Sequence, residues 1–138
     1  MSANVTRVDS RVRVKTTTDG AGNPVYREGP LQGQSSYSLN AGLYYGSDRF
    51  EGALLYTAFG RRLAQVGAGA YPSSLPDIYE YPIQSFDVTL AQRINHALQL
   101  KLTGENLLDR SAEFRQLDQI TRRVSPGRTY SISIQAKK

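Results

Sequence analysis

The sequence predicts an all-β chain: an antiparallel, up-and-down segment of a transmembrane β-barrel with about six strands. Three observations carry this. Several runs alternate strictly between apolar and polar residues. No run approaches the eighteen or so apolar residues that a spanning helix needs. The connections between the alternating runs switch regularly between long and short. A lipid-embedded barrel strand needs only about nine to eleven tilted residues, half of them polar. A mean hydropathy of −0.45 with 39% hydrophobic residues therefore disfavours membrane helices and leaves a barrel open.

The first alternating run is Val5 to Thr17, with Val8, Ser10, Val12 and Val14 on one face. Arg7, Asp9, Arg11, Arg13 and Lys15 take the other, because successive strand side chains point to opposite sides. From 18 to 33 the turn dipeptides Asp19-Gly20, Asn23-Pro24 and Gly29-Pro30 predict a long loop. Ser36 to Tyr45 is the most informative strand: Tyr37, Leu39, Ala41, Leu43 and Tyr45 share one face. Aromatics at both ends of an aliphatic band match interfacial tyrosine belts. Gly46-Ser47-Asp48 is a tight turn. Arg49 to Gly60 returns with Phe50, Gly52, Leu54, Tyr56 and Ala58 on one side and a mixed set (Glu51, Ala53, Leu55, Thr57, Phe59) on the other.

Residues 61–82 show no steady period and are expected to form a second long loop. Gly67-Ala68-Gly69 is too short for a phosphate-binding fingerprint and leads into no helical pattern. Asp77 and Glu80 are expected to be solvated loop charges rather than a catalytic or calcium-binding pair. Ile83 to Ile94 sets Phe86, Val88 and Leu90 against Ser85, Asp87, Thr89, Ala91 and Arg93. Asn95-His96 turns, with His96 exposed, and Ala97 to Gly104 returns with Leu98, Leu100 and Leu102 against Gln99, Lys101 and Thr103. A third long connection follows, 105–126, holding a short helix or an irregular β piece around Glu113 to Arg123. Arg128 to Gln135 closes with Tyr130, Ile132 and Ile134 against Thr129, Ser131, Ser133 and Gln135.

On this reading Tyr37, Leu39, Leu43, Val88, Leu90, Leu98, Leu100, Leu102, Ile132 and Ile134 contact lipid. Arg13, Lys15, Asp87, Arg93 and Lys101 face the lumen. Outer-membrane barrels place short turns at the periplasmic rim and long loops outside the cell. Connections 18–33, 61–82 and 105–126 are then extracellular. Membrane barrels start at about eight strands, and lipid cannot satisfy an open sheet edge. Six strands must therefore be completed from elsewhere.

The chain has no cysteine and one histidine, which argues against disulfides and Cys- or His-based metal sites. No cofactor is expected. No nucleophile–base constellation or phosphate loop points to an enzyme. The net charge of +5 is spread along the chain rather than massed, so a nucleic-acid partner is not expected. Met1-Ser2-Ala3-Asn4 leads straight into a strand pattern without a secretory signal.

Several ordered segments resemble the barrel of TonB-dependent outer-membrane receptors, in the Bacteroidetes-type branch that carries a carboxypeptidase-regulatory-like domain. They are Leu31 to Asn40, Leu43-Tyr44-Tyr45, Phe59 to Leu63 with Val66-Gly67, and Pro76 to Pro82. Phe86 to Thr89, the motif Asn106-Leu107-Leu108-Asp109, and Pro126-Gly127-Arg128-Thr129-Tyr130 continue the series. The resemblance implies that residues 1–138 are the C-terminal section of a receptor barrel for energy-coupled uptake of a scarce nutrient. The partners it implies are membrane lipid, the remainder of the barrel, a plug domain and a TonB-type energy-coupling complex. It implies a place in the outer membrane of a Gram-negative bacterium. Plug and coupling segment are not visible, and the chain ends Gln135-Ala136-Lys137-Lys138 where the family usually ends on an aromatic. The expectation is a receptor fragment that does not transport by itself. Tyr71, Tyr79 and Tyr81, on the exterior loops, are the candidate ligand contacts. Two other readings are a soluble all-β ligand-binding module and a structural strand-donor subunit of a larger barrel.

Overall fold

The computed structural model describes residues 1–67 and 75–136, with only the backbone at Thr16 and Thr17. Twelve strands and no helix are present among them: β1 (Ser2–Arg7), β2 (Val12–Thr18), β3 (Pro24–Gly29), β4 (Tyr37–Gly46), β5 (Phe50–Phe59), β6 (Arg62–Gln65), β7 (Ile78–Glu80), β8 (Ile83–Arg93), β9 (Leu98–Glu105), β10 (Ala112–Gln116), β11 (Gln119–Val124) and β12 (Thr129–Ala136).

Six of them form one antiparallel sheet in the order β1-β4-β5-β8-β9-β12. Because directly paired residues point to the same side of a sheet, the register assigns every side chain. Leu39 pairs Ala58, Leu43 pairs Leu54, and Tyr45 pairs Gly52. Leu54 pairs Val88 and Gly52 pairs Leu90, Leu90 pairs Leu102, and Leu102 and Leu100 pair Ile132 and Ile134. All ten residues expected to face lipid thus lie on one face. The facing of β5, ambiguous from sequence, is resolved: Phe50, Gly52, Leu54, Tyr56 and Ala58 join the apolar side. The other face carries Asn40 and Thr57, Asp87, Thr89, Ala91 and Lys101, and Ser131 and Ser133.

Among the described residues no second layer covers either face. Ile132 and Ile134 are 73% and 70% exposed, and only Ala58, Leu63 and Ala91 are buried apolar residues among those described. These three sit in different strands and make no continuous core. The chain exposes 10111 Å², against about 7,100 Å² for a folded monomer of this mass. The two edges, β1 and β12, do not pair with each other, so the barrel is not closed.

The tight turns Ser47–Arg49 and Ile94–Ala97 lie at one end of the sheet and the three long connections at the other, alternating as the sequence predicts. Three expectations are corrected. The first predicted strand breaks in two: β1 ends at Arg7, and β2 leaves the sheet to form a separate hairpin with β3. Arg13 and Lys15 consequently sit on that hairpin, not on the wall facing a lumen. The expected loop 18–33 contains β3. The expected loop 61–82 contains β6 and β7, which join β10 and β11 in a four-stranded sheet, β11-β10-β7-β6. Of the helix and β alternatives around Glu113 to Arg123, the β one is present.

Candidate functional site

The long connections fuse into one layer at their end of the sheet. The Gly33 amide donates to the Leu63 carbonyl at 2.8 Å and the Tyr81 amide to the Glu113 carbonyl at 2.8 Å. Phe114 and Arg115 of β10 pair with Glu80 and Tyr79 of β7. Backbone groups that the short hairpins leave unpaired thus find partners in a neighbouring connection.

Asp77 and Glu80 anchor this layer, contrary to the expectation of solvated charges. They are 9% and 8% exposed. Arg27 of β3 grips Asp77 with both terminal nitrogens, at 2.8 and 2.5 Å, and the Gly67 amide donates to the same carboxylate at 2.8 Å. Burial raises the Asp77 carboxyl, but the hydrogen bonds from Arg27 and Gly67 and the Arg27 charge outweigh it and hold it below the ordinary range. Gly67 must be glycine: a Cβ there would lie 1.8 Å from the Leu75 carbonyl oxygen. Glu80 accepts from Arg62 Nε at 2.7 Å.

The motif Asn106 to Asp109 ties three strands together where the third connection begins. Asn106 and Asp109 adopt left-handed backbone, φ 51° and 53°, which Asn and Asp tolerate best among non-glycine residues. The Asn106 amide donates to Asp87 Oδ1 at 2.8 Å and its side-chain nitrogen to the Gly127 carbonyl at 2.8 Å. Arg128 Nε donates to the Leu107 carbonyl at 3.1 Å. The Pro126-Gly127-Arg128 segment and the Asn106 motif are therefore two halves of one clasp, with Gly127 at φ 77°. Leu107 folds back over Gly104, where an added Cβ would lie 3.1 Å from its Cδ2. Leu108 is 40% exposed.

Of the candidate ligand contacts, Tyr79 and Tyr81 come together. The Arg61 guanidinium lies 3.7 Å from the Tyr79 ring centre and 5.7 Å from that of Tyr81, and Arg115 lies 4.4 Å over Tyr81. The Tyr81 hydroxyl donates to Asp118 at 3.1 Å. Tyr71 lies outside the described residues. On the sheet's polar face Arg93 and Lys101 are exposed, while the half-buried Asp87 is committed to Asn106 and to the Ser85 hydroxyl.

Beside Tyr81 a cavity of about 470 Å³ is lined by Pro82, Gln84, Asp109, Arg110, Ser111, Glu113, Arg115 and Arg123. Arg115 contacts Glu113 Oε2 through Nε and Nη2, at 3.1 and 2.7 Å, and Arg123 contacts Oε1 at 2.7 Å. Hydrogen bonds from Arg115, then from Arg123, keep the Glu113 carboxyl below its ordinary range against desolvation. No local pattern marks this cavity: its arginines are unremarkable one at a time and gather only when β10 pairs with β7 and β11 with β10. Among the described residues no cluster of three or more His, Cys, Asp or Glu could hold a metal ion. No known protein family, curated protein or solved structure matches this chain.

Proposed function

We propose that this chain is the closing section of a lipid-embedded outer-membrane β-barrel, of the kind that TonB-dependent receptors use for energy-coupled nutrient uptake. The observation that carries the membrane reading is the uncovered apolar face. An aliphatic band (Leu39, Leu43, Leu54, Val88, Leu90, Leu100, Leu102, Ile132, Ile134) runs unbroken across five strands, with Tyr37 and Tyr130 toward the long-connection end and Tyr45 and Phe50 toward the other. In water an exposed stripe of this kind is costly; in lipid it is what a barrel wall requires, with the polar face turned to the lumen. The two open edges fit a wall continued by further strands. The receptor assignment itself rests on the ordered motifs around Asn106-Leu107-Leu108-Asp109 and Pro126-Gly127-Arg128.

In this reading the hairpin layer is extracellular and the tight turns periplasmic. The remaining strands, the plug domain and the energy-coupling complex lie outside these 138 residues, and this section by itself does not transport. A soluble all-β module would need a second layer over the apolar face, and the four-stranded sheet does not supply one. The test is refolding with and without detergent. The expected result is a β-rich, monodisperse species only with detergent or lipid. A monodisperse monomer with a cooperative melt in plain buffer contradicts the proposal.

A further inference from the structure

The arginine cavity beside Tyr81 stands at the top of the apolar face, and this position defines what it can hold. We propose that Arg110, Arg115 and Arg123 bind the phosphate of a lipid headgroup at the membrane rim; this rests on the membrane reading above. Arg115 and Arg123 share one carboxylate, Glu113, which fixes both guanidinium groups without cancelling their combined charge. The Arg110 side chain, by contrast, is exposed and has no hydrogen-bond or ion-pair partner among the described residues. Arg115 spends its Nε–Nη2 fork on Glu113, but the three arginines lining the cavity outnumber its two carboxylates, Asp109 and Glu113, and this surplus of guanidinium charge suits a tetrahedral oxyanion.

The source of the phosphate follows from the register. Gln84, on the cavity wall, pairs with Ala58, which itself pairs with Leu39. Gln84 therefore points to the aliphatic side, two residues above Phe86 on the same face. A solute in the barrel lumen would meet the opposite face, at Ser85 and Asp87. A headgroup phosphate, whose acyl chains lie along Val88 and Leu90, reaches the cavity from below. The volume of about 470 Å³ falls within the about 300–1,000 Å³ of small-molecule sites.

The experiment is calorimetric titration of the full chain in neutral maltoside micelles with dihexanoyl phosphatidate, dihexanoylglycerol and inorganic phosphate. The expected result is saturable phosphatidate binding that is about tenfold or more weaker in Arg110→Gln and in Arg123→Gln. Lys101→Gln, on the opposite face, leaves it unchanged, and dihexanoylglycerol does not compete. Phosphatidate binding that survives both arginine substitutions, or dihexanoylglycerol binding as tightly, overturns the site. Inorganic phosphate binding as tightly as phosphatidate overturns the headgroup as its source. Circular dichroism of each variant separates loss of a ligand contact from loss of fold. A chain that is monodisperse without detergent sinks the membrane reading alone, and Arg110-dependent phosphate binding measured there reports on the cavity independently.

Discussion

Leu102→Arg and Thr103→Arg place the same charge on neighbouring residues of β9, and the proposed orientation gives them very different costs. Leu102 stands in a row between Leu90 and Ile132, at 40% exposure, in the middle of the aliphatic band. Thr103 stands between Thr89 and Ser131 on the polar face. An arginine on the lipid side near the bilayer midplane costs about 2–4 kcal/mol, a change of roughly 30- to 900-fold in the unfolding equilibrium. On the water-facing side the same residue is a surface substitution, worth within about 0.5 kcal/mol. Urea titration of the lipid-inserted protein, followed by tyrosine fluorescence, measures both. A cost at position 103 equal to that at position 102 would refute the facing of the sheet.

Further outcomes follow from the Arg27–Asp77 pair and from the Asn106 clasp. Asp77→Asn leaves Arg27 without its charged partner; because Arg27 is 49% exposed, the loss should be about 1–2 kcal/mol rather than the full 3–5 of a buried pair, seen as faster amide exchange in β2 and β3. The same pair sets a pH dependence. With its folded-state carboxyl below the ordinary 3.8, Asp77 contributes stability that is fully present above the unfolded-state value. That contribution is lost as pH falls through the folded one, so hairpin protection should hold from neutral pH to about pH 4 and decline below it; a decline already complete at pH 6 would contradict this. Asn106→Ala forfeits the Gly127 bond and a residue suited to φ 51°, costing about 2 kcal/mol in the same urea assay. Asn106→Gly, which restores the backbone freedom but not the bond, should fall between Ala and the parent protein.

The six sheet strands were legible because each is long and alternates with period two, and the structure places the ends of five within one residue of the sequence reading. The sixth differs at both ends: β1 starts at Ser2, three residues before the expected Val5, and it ends at Arg7 because alternation does not encode a bend, the period running on through the break at residues 8–11. Strands β6 and β7 leave no trace in the sequence for another reason: they are four and three residues long, and β7 is held by β10, a segment more than thirty positions away. The β piece around Glu113 to Arg123 is legible only as one of two alternatives. Asp77 reads locally as a solvated loop charge because Arg27 lies 50 positions earlier, a separation no local pattern reveals. The Asn106 motif was visible as a motif, but its role as a clasp on Asp87 and Gly127 depends on strand neighbours that only the folded sheet supplies.

The absence of native cysteine makes the central claim directly measurable. Single cysteines from position 130 to 135 in β12, each carrying a nitroxide label, can be scanned in lipid vesicles for collision with oxygen, which partitions into lipid, and with a water-soluble nickel chelate. The account predicts a period of two: labels at 130, 132 and 134 relax with oxygen and are shielded from nickel, and labels at 131, 133 and 135 do the reverse. Uniform nickel accessibility along the strand, or a profile without alternation, would contradict a lipid-facing sheet.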